Sequence, residues 1–244
     1  MYTGVLVLLS LILPNLPQSP LLIRPLSEIA ILVTPRLSVD PFVWPSLLNR
    51  LRQSHDLLAS LLDESSFEWV LADQSLTLLF PPHLAFPFAQ LNALSDFLND
   101  HFQAVLADEA TPKAEGVVHL IEVSYGGEAG EDLPEVAKQL GLSEREVVQI
   151  HTEPLYRVEF IGFLPGFAYL GGLPPSLHLP RRAEPRDRVP AGALAVASRY
   201  TAIYPMVSPG GWHLLGQSEF NLFSTDQWPP NRLQAGDSVR FVEV

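Results

Sequence analysis

Residues 155–217 read LYRVEFIGFLPGFAYLGGLPPSLHLPRRAEPRDRVPAGALAVASRYTAIYPMVSPGGWHLLGQ, and the spacing within this stretch decides the fold. Short β-type runs (Tyr156 to Ile161, Ala193 to Ala197, Ala202 to Tyr204, Trp212 to Leu215) alternate with turns dense in glycine and proline, and Ser238 to Val242 adds another run. Short strands separated by turn residues predict a closed or nearly closed β-barrel. Upstream, Val117 to Ser124 reads as a strand, YGGEAGEDL from Tyr125 as a tight turn, and Leu133 to Leu140 as a helix. Asp132 with Glu135 and Ser143 with Glu146 are Asp/Ser-x-x-Glu start signals, the second opening a short helix that ends near His151.

Glycine marks the boundary with the first half. None lies between Val5 and Glu115, whereas Gly116 to Val244 holds 14 of the 15, so the demand for positive φ and close backbone approach begins there. A break near Thr111 to Glu115 predicts an N-terminal extension (1–20), a small α+β domain (21–112) and a mainly-β barrel domain (113–244). In the α+β domain Leu21 to Arg24, Glu28 to Val33, Phe67 to Ala72 and Ser75 to Phe80 read as strands. Asp40-Pro41 is an N-cap with proline at the first helical position. Leu47, Leu48, Leu51, Leu58, Leu61 and Leu62 form a helical stripe for the core, and Phe88 to Leu106 forms a second amphipathic segment. His55, His83 and His101 are isolated and read as surface or capping residues.

Composition excludes several functions. Net charge is −12, a field that repels phosphate backbones and anionic lipid, so neither nucleic acid nor membrane is an expected partner. With no cysteine there is no disulfide, thiolate nucleophile or cysteine-bound metal. The apolar run Val5 to Leu13 is far too short to span a bilayer, and no Lys or Arg precedes it as a secretory signal requires, so the expected location is cytoplasmic.

Three segments carry candidate chemistry. GFLPGFAYLGGL (Gly162 to Leu173) interleaves Phe163, Phe167 and Tyr169 with four glycines and Pro165; it suits either the apolar wall of a small-molecule pocket or a packed Ω-type loop. Arg181, Arg182, Arg186 and Arg188 follow between prolines. Their forks suit a carboxylate or phosphate, or equally ion pairs to a partner or to the acidic stretch Glu122 to Glu159, which has nine carboxylates against three basic residues. SPGGW (Ser208 to Trp212) sets two glycines beside an indole and could complete the same pocket. The glycine turn at 126–130 resembles a phosphate cradle, but Glu128, Glu131 and Asp132 crowd it and the P-loop Lys-Ser/Thr is missing, which favours a plain tight turn. There is no Gly-x-Ser-x-Gly or His-Glu-x-x-His. His119, His151, His178 and His213 lie on different elements, so no metal site is expected.

The motifs YGGEAGEDL, His151 with Tyr156, GFLPGFAYLGGL, PRRAEPRDRVPAG, IYPMVSPGGW and AGDSVRF, in this order, resemble the family containing the Kip-type inhibitor of a sporulation histidine kinase and the B subunit of ATP-hydrolysing 5-oxoprolinase, the allophanate hydrolase subunit 1 type with its carboxyltransferase-domain subdomain. The likeness is strong from Val117 to Val244 and faint from Leu22 to Phe102. Where relatives carry proline in the glycine turn this chain has Glu131, and it also departs at Ala193, Ser198, Tyr200, Ala202 and Gln217.

The resemblance implies a cyclophilin-like barrel behind the α+β domain. It also implies a non-autonomous hydrolase subunit that works with the A and C subunits of 5-oxoprolinase in ATP-dependent opening of a cyclic amide, 5-oxo-L-proline, to L-glutamate. ATP would be used by the complex, not necessarily bound by this chain. Kinase inhibition and urea or allophanate chemistry are the alternatives it leaves. On the same footing His151 and Tyr156 are candidate proton carriers and Arg186 a candidate catalytic cation. Phe163, Pro165, Gly166, Phe167, Tyr169, Arg181, Arg182, Tyr204, Ser208, Gly210, Gly211 and Trp212 are candidate substrate-binding residues.

Overall fold

The computed structural model describes residues 20–27, 30–36, 39, 43–62, 66–81, 88–107 and 116–244. The apolar run at 5–13, the Asp40-Pro41 start signal, His83 and the expected boundary at 111–115 lie outside them.

The first half folds as expected, an antiparallel sheet backed by helices. Strands β1 (Leu21–Ser27), β2 (Ala30–Pro35), β3 (Glu68–Ala72) and β4 (Ser75–Leu79) pair in the order β1-β2-β4-β3. Period-2 alternation sends Leu76 and Leu78 of β4 inward, beside Ile31 and Val33 of β2, all fully buried. The expected leucine stripe divides into α1 (Val43–Gln53) and α2 (His55–Leu62). The break is at Ser54, whose N–H is shared by the carbonyls of Arg50 and Leu51. His101 on α3 (Leu91–Ala107) explains the position of the break. Its Nδ1 can only donate to the Phe97 carbonyl (2.8 Å), so Nε2 accepts from the Ser54 hydroxyl (3.0 Å) and ties α3 to the α1–α2 corner. Leu91, Leu94, Leu98, Phe102 and Val105 complete the core at helical spacing.

The second half is a closed seven-stranded barrel, order β10-β7-β6-β13-β5-β12-β9 with β9 and β10 closing it. Its strands are β5 (Val118–Tyr125), β6 (Tyr156–Ile161), β7 (Ala168–Gly171), β9 (Ala193–Ala197), β10 (Tyr200–Ile203), β12 (His213–Gln217) and β13 (Ser238–Glu243). Pairing is antiparallel except for β13 with β5. Between β5 and β6 come α4 (Leu133–Leu140) and α5 (Glu144–Thr152), which pack on the barrel interior. The capping box at Ser143 and Glu146 forms with both reciprocal bonds. Outside the barrel, β8 (Arg186–Val189) pairs with β11 (Ser208–Gly210), bringing the arginine run against the SPGGW turn.

Both faces of several barrel strands are buried, and alternation divides them. Leu194 and Val196 of β9 point into the barrel with Val158, Leu170, Leu215 and Phe241. Ala193, Ala195 and Ala197 point outward, into an apolar cluster continuous with the core of the N-terminal layer. Two bulges adjust the parity: one in β6 between Val158 and Phe160, one in β12 between Leu214 and Gly216. Each inserts an extra residue: in β6 Phe160 faces outward although it lies two residues from inward-facing Val158, and in β12 Gly216 rather than Leu215 takes the place opposite Leu194.

The N-terminal layer and the barrel also meet through charge. Arg199, in the β9–β10 turn, makes a two-pronged pair with buried Glu159 (2.9 Å for each prong) and reaches Asp73 in the β3–β4 turn (2.7 Å). The Tyr200 hydroxyl touches Glu159, Asp73 and Arg199.

Candidate functional site

On the outside of the barrel, at β7 and just beyond the end of β10 and the start of β12, lies a cavity of about 250 Å³. Its floor and walls are Phe167, Tyr169, Tyr204 and Trp212; its mouth is exposed Phe163, Arg181, Pro185 and Pro209, with Gly210 and Gly211 on one side. Phe167 is the hub, packed edge-on against Phe163, Tyr169, Tyr204 and Trp212 at centroid distances of 5.0–5.6 Å. The two readings of GFLPGFAYLGGL are therefore both realised: its aromatic side chains pack as a cluster, and the exposed side of that cluster is the pocket wall. Drug-sized sites run from about 300 Å³ upward, so this one suits a small ring or a single side chain.

Local geometry explains the loop. Residues 162–167 close on themselves through Gly162 N–H to Phe167 O, Leu164 N–H to Gly162 O and Phe167 N–H to Leu164 O. Phe163 is forced to φ +69°, a left-handed conformation unusual for a bulky side chain, and its ring stands 60% exposed at the mouth. Pro165 and Gly166 shape this turn without lining the cavity. Gly210 is needed because a Cβ there would strike the Tyr204 hydroxyl. Burial raises the pKa of both Tyr169 and Tyr204, against a smaller lowering by the Arg181 charge at both and by the Trp212 backbone N–H at Tyr204. Both hydroxyls stay protonated at neutral pH.

The arginines divide into two kinds. Asp132 is buried, and its Oδ1 accepts from Arg182 Nη1 and Arg186 Nη2, each at 2.7 Å, while Oδ2 accepts the Leu214 N–H at 2.7 Å. Arg186 Nε also pairs with Glu131 at 2.8 Å. The salt-bridge reading thus holds for Arg182 and Arg186. They anchor the loop to the glycine turn and do not line the cavity, which corrects their expected roles in substrate binding and catalysis. Asp132 is corrected as well: it makes no side-chain capping bond to α4, because its carboxylate is taken by the two guanidinium groups and Leu214. Arg181 is the other kind, exposed at the mouth and making no ion pair or hydrogen bond among the described residues.

His151 and Tyr156 are not brought to the pocket. Both belong to the barrel interior, on the other side of the strands that carry Tyr169 and Tyr204. The hydrogen bonds fix the tautomer of the histidine. Thr201 gives its single proton to the Ala195 carbonyl (3.1 Å), so its oxygen accepts from His151 Nε2–H (2.9 Å), and Nδ1 accepts from the Tyr125 hydroxyl (2.8 Å). Tyr156 donates to the His151 carbonyl at 2.8 Å. This is a saturated structural chain with no path to the cavity, which removes both residues from proton transfer there. Ser208 is buried in β11, its hydroxyl has no hydrogen-bond partner among the described residues, and it is not a lining residue. Of the residues expected at the site, Phe163, Phe167, Tyr169, Arg181, Tyr204, Gly210, Gly211 and Trp212 converge. Pro185 and Pro209 were missed; their place inside the arginine run and the SPGGW turn was the available signal.

Burial pushes the His151 pKa from 6.5 down to about 3. The unfolded chain takes up this proton near pH 6.5 and the folded chain does not, so stability falls with pH between those values by about 1.4 kcal/mol per unit. Urea denaturation at pH 7.5 and 5.0 is expected to show about 2 kcal/mol of acid destabilisation from this residue. His151→Leu, less stable at pH 7.5, is expected to lack that increment; an unchanged pH dependence in the variant would contradict the assignment.

The chain is thus a closed barrel bearing a small aromatic cavity on its outer face, beside an α+β layer. The chain belongs to the carboxyltransferase domain family, subdomain C and D, whose family model matches residues 21–233. It is 52% identical over 122 residues to the B subunit of 5-oxoprolinase from Haemophilus influenzae, a match covering 50% of this chain and 57% of that protein. The chain spans about half the length of the curated relatives it matches. Among solved structures, TTHA0988 superimposes with a TM-score of 0.68 at 35% identity, over 88% of this chain and 39% of that one. The conserved uncharacterized protein PH0987 of Pyrococcus horikoshii gives 0.51 at 32% identity, over 91% and 97%. Among the described residues no helix is long and apolar enough to cross a membrane.

Proposed function

We propose that this chain is the B subunit of an ATP-hydrolysing 5-oxoprolinase, and that its outer-face cavity holds the five-membered lactam. The observation that carries the reading is the 52% identity to the B subunit of a known 5-oxoprolinase. A small cavity walled by Phe167, Tyr169 and Trp212 is consistent with a compact ring, and the protonated Tyr204 hydroxyl can donate to a carbonyl.

Opening a resonance-stabilised lactam needs activation, which ATP supplies in the complex. Two waters are consumed: the C–N bond breaks, water completes the new carboxylate on the carbonyl carbon, the ring nitrogen becomes the amine of L-glutamate, and the second water balances the conversion of ATP to ADP and phosphate, which leave. The glycine turn of this chain does not fit the phosphates: Glu131 and Asp132 flank it, and the Gly130 N–H is already bonded to the Gly126 carbonyl. No phosphoryl step is routed through these residues. The chain's own part is to hold and orient the lactam and exclude water, with Arg182 and Arg186 as positioning residues. The A and C subunits of 5-oxoprolinase are the partners in this reading, and exposed Phe163 and Pro209 at the mouth are where a partner would close the site.

The test is co-expression with homologues of the A and C subunits, purification of the complex, and measurement of ATP-dependent glutamate release from 5-oxo-L-proline. Release requiring all three chains is the expected result. A stable complex that releases none overturns the substrate, and failure to associate overturns the chain's assignment to the complex.

A further inference from the structure

We infer that the cavity selects ligands bearing a carboxylate, and that Arg181 is the residue that makes the selection. This deepens the proposed function by giving the lactam pocket a charge requirement, and rests on that reading for 5-oxo-L-proline as one of its probes.

The cavity offers a ligand few polar groups. Its walls are aromatic rings and backbone; the polar side-chain groups of its lining residues are the Tyr169 and Tyr204 hydroxyls, the Trp212 indole N–H and the Arg181 guanidinium, which is the one charged group among them. A chain of net charge −12 disfavours anions as a whole, so an uncompensated cation at a cavity is where one is best held. Two neighbouring arginines are compensated, Arg182 by Asp132 and Arg186 by both Asp132 and Glu131. Arg181 is one residue away and has no such partner among the described residues.

Its placement favours a small organic acid over a bare ion. Arg181, Tyr169 and Tyr204 line the same cavity, so the fork and two neutral O–H donors share one small volume. A guanidinium can grip a carboxylate with two parallel hydrogen bonds while the ring attached to it lies on Phe167, Tyr169 and Trp212. Lysine would supply the charge without the fork.

The test is calorimetric titration of the purified chain at low ionic strength, where an exposed cation is least screened. The probes are 5-oxo-L-proline, cyclopentanecarboxylate and neutral 2-pyrrolidinone. The proteins are the wild type, Arg181→Gln and Arg181→Lys; Arg181 is exposed and unpaired, so both variants should melt like the wild type. Expected is binding of both acids, tighter than the neutral lactam by about 10- to 100-fold, the range of a charge-assisted contact. Arg181→Gln should lose that factor for the acids and nothing for the lactam, with Arg181→Lys in between. The inference is overturned if Arg181→Gln binds the acids as the wild type does, if the lactam binds as tightly as its acid, or if neither acid binds. Arg181-dependent binding of cyclopentanecarboxylate without 5-oxo-L-proline would uphold it while removing the 5-oxoprolinase reading. Glutamate release by the complex that is indifferent to Arg181→Gln would do the reverse.

Discussion

Replacing Asp132 with alanine is expected to lower stability by about 3 kcal/mol, the low end of the cost of stranding a buried charge pair. Its carboxylate is 5% exposed and accepts three hydrogen bonds: two from guanidinium groups and one from the backbone of β12. Without it, Arg182 and Arg186 keep their charge and lose their principal acceptor. The low end applies because both side chains still reach some water and Arg186 keeps Glu131. The Leu214 N–H has no such escape, being buried. Urea denaturation at pH 7 measures the loss, and less than 1 kcal/mol would mean that the arginine loop is held by other contacts. Because that loop forms one side of the cavity through Pro185, ligand affinity should fall with it. Asp132→Asn should recover the Leu214 bond but not the compensation of two cations, and so only part of the loss.

The second large effect lies where the barrel meets the N-terminal layer. A Cβ at Gly171 would land on the Glu159 carboxylate, which Arg199 and Tyr200 hold in place. Gly171→Ala must therefore push Glu159 out of its buried pair, and Glu159→Ala removes it outright. Each is expected to cost about 2–3 kcal/mol, discounted from the fully buried case because Arg199 is partly exposed and keeps Asp73. The informative measurement is the double variant. Once the carboxylate is gone the new methyl has room, so the two losses should not add, and a coupling of about 2 kcal/mol is expected. Additive losses would show that the Gly171 backbone, rather than the carboxylate, is the constraint.

Local signals were legible wherever a side chain satisfies its own backbone or follows one period. Ser143 and Glu146 form their capping box because both partners lie within one turn. Ser75 to Phe80 is a strand but for its last residue, and Tyr156 to Ile161 and Ala193 to Ala197 are strands with the expected ends. β7, β8 and β11 escaped notice because three or four residues rich in glycine, proline or arginine carry no apolar period. Asp132 misled for a related reason: the Asp-x-x-Glu pattern is real, but arginines some fifty residues later compete for the same oxygens and win on charge.

The sequence by itself determined the class of fold, most of the longer strands and helices that build it, and the aromatic, glycine and arginine segments from which a pocket could be made. Only the tertiary structure decided which members of those segments share a face. Thr201 points into the barrel to meet His151 while Tyr200 and Ala202 beside it point out, and the bulges in β6 and β12 reverse that parity locally. A one-residue change of register moves a side chain to the opposite side of a sheet. The register is set by pairing between strands distant in the chain, and so is the choice of which arginine Asp132 neutralises and which it leaves free.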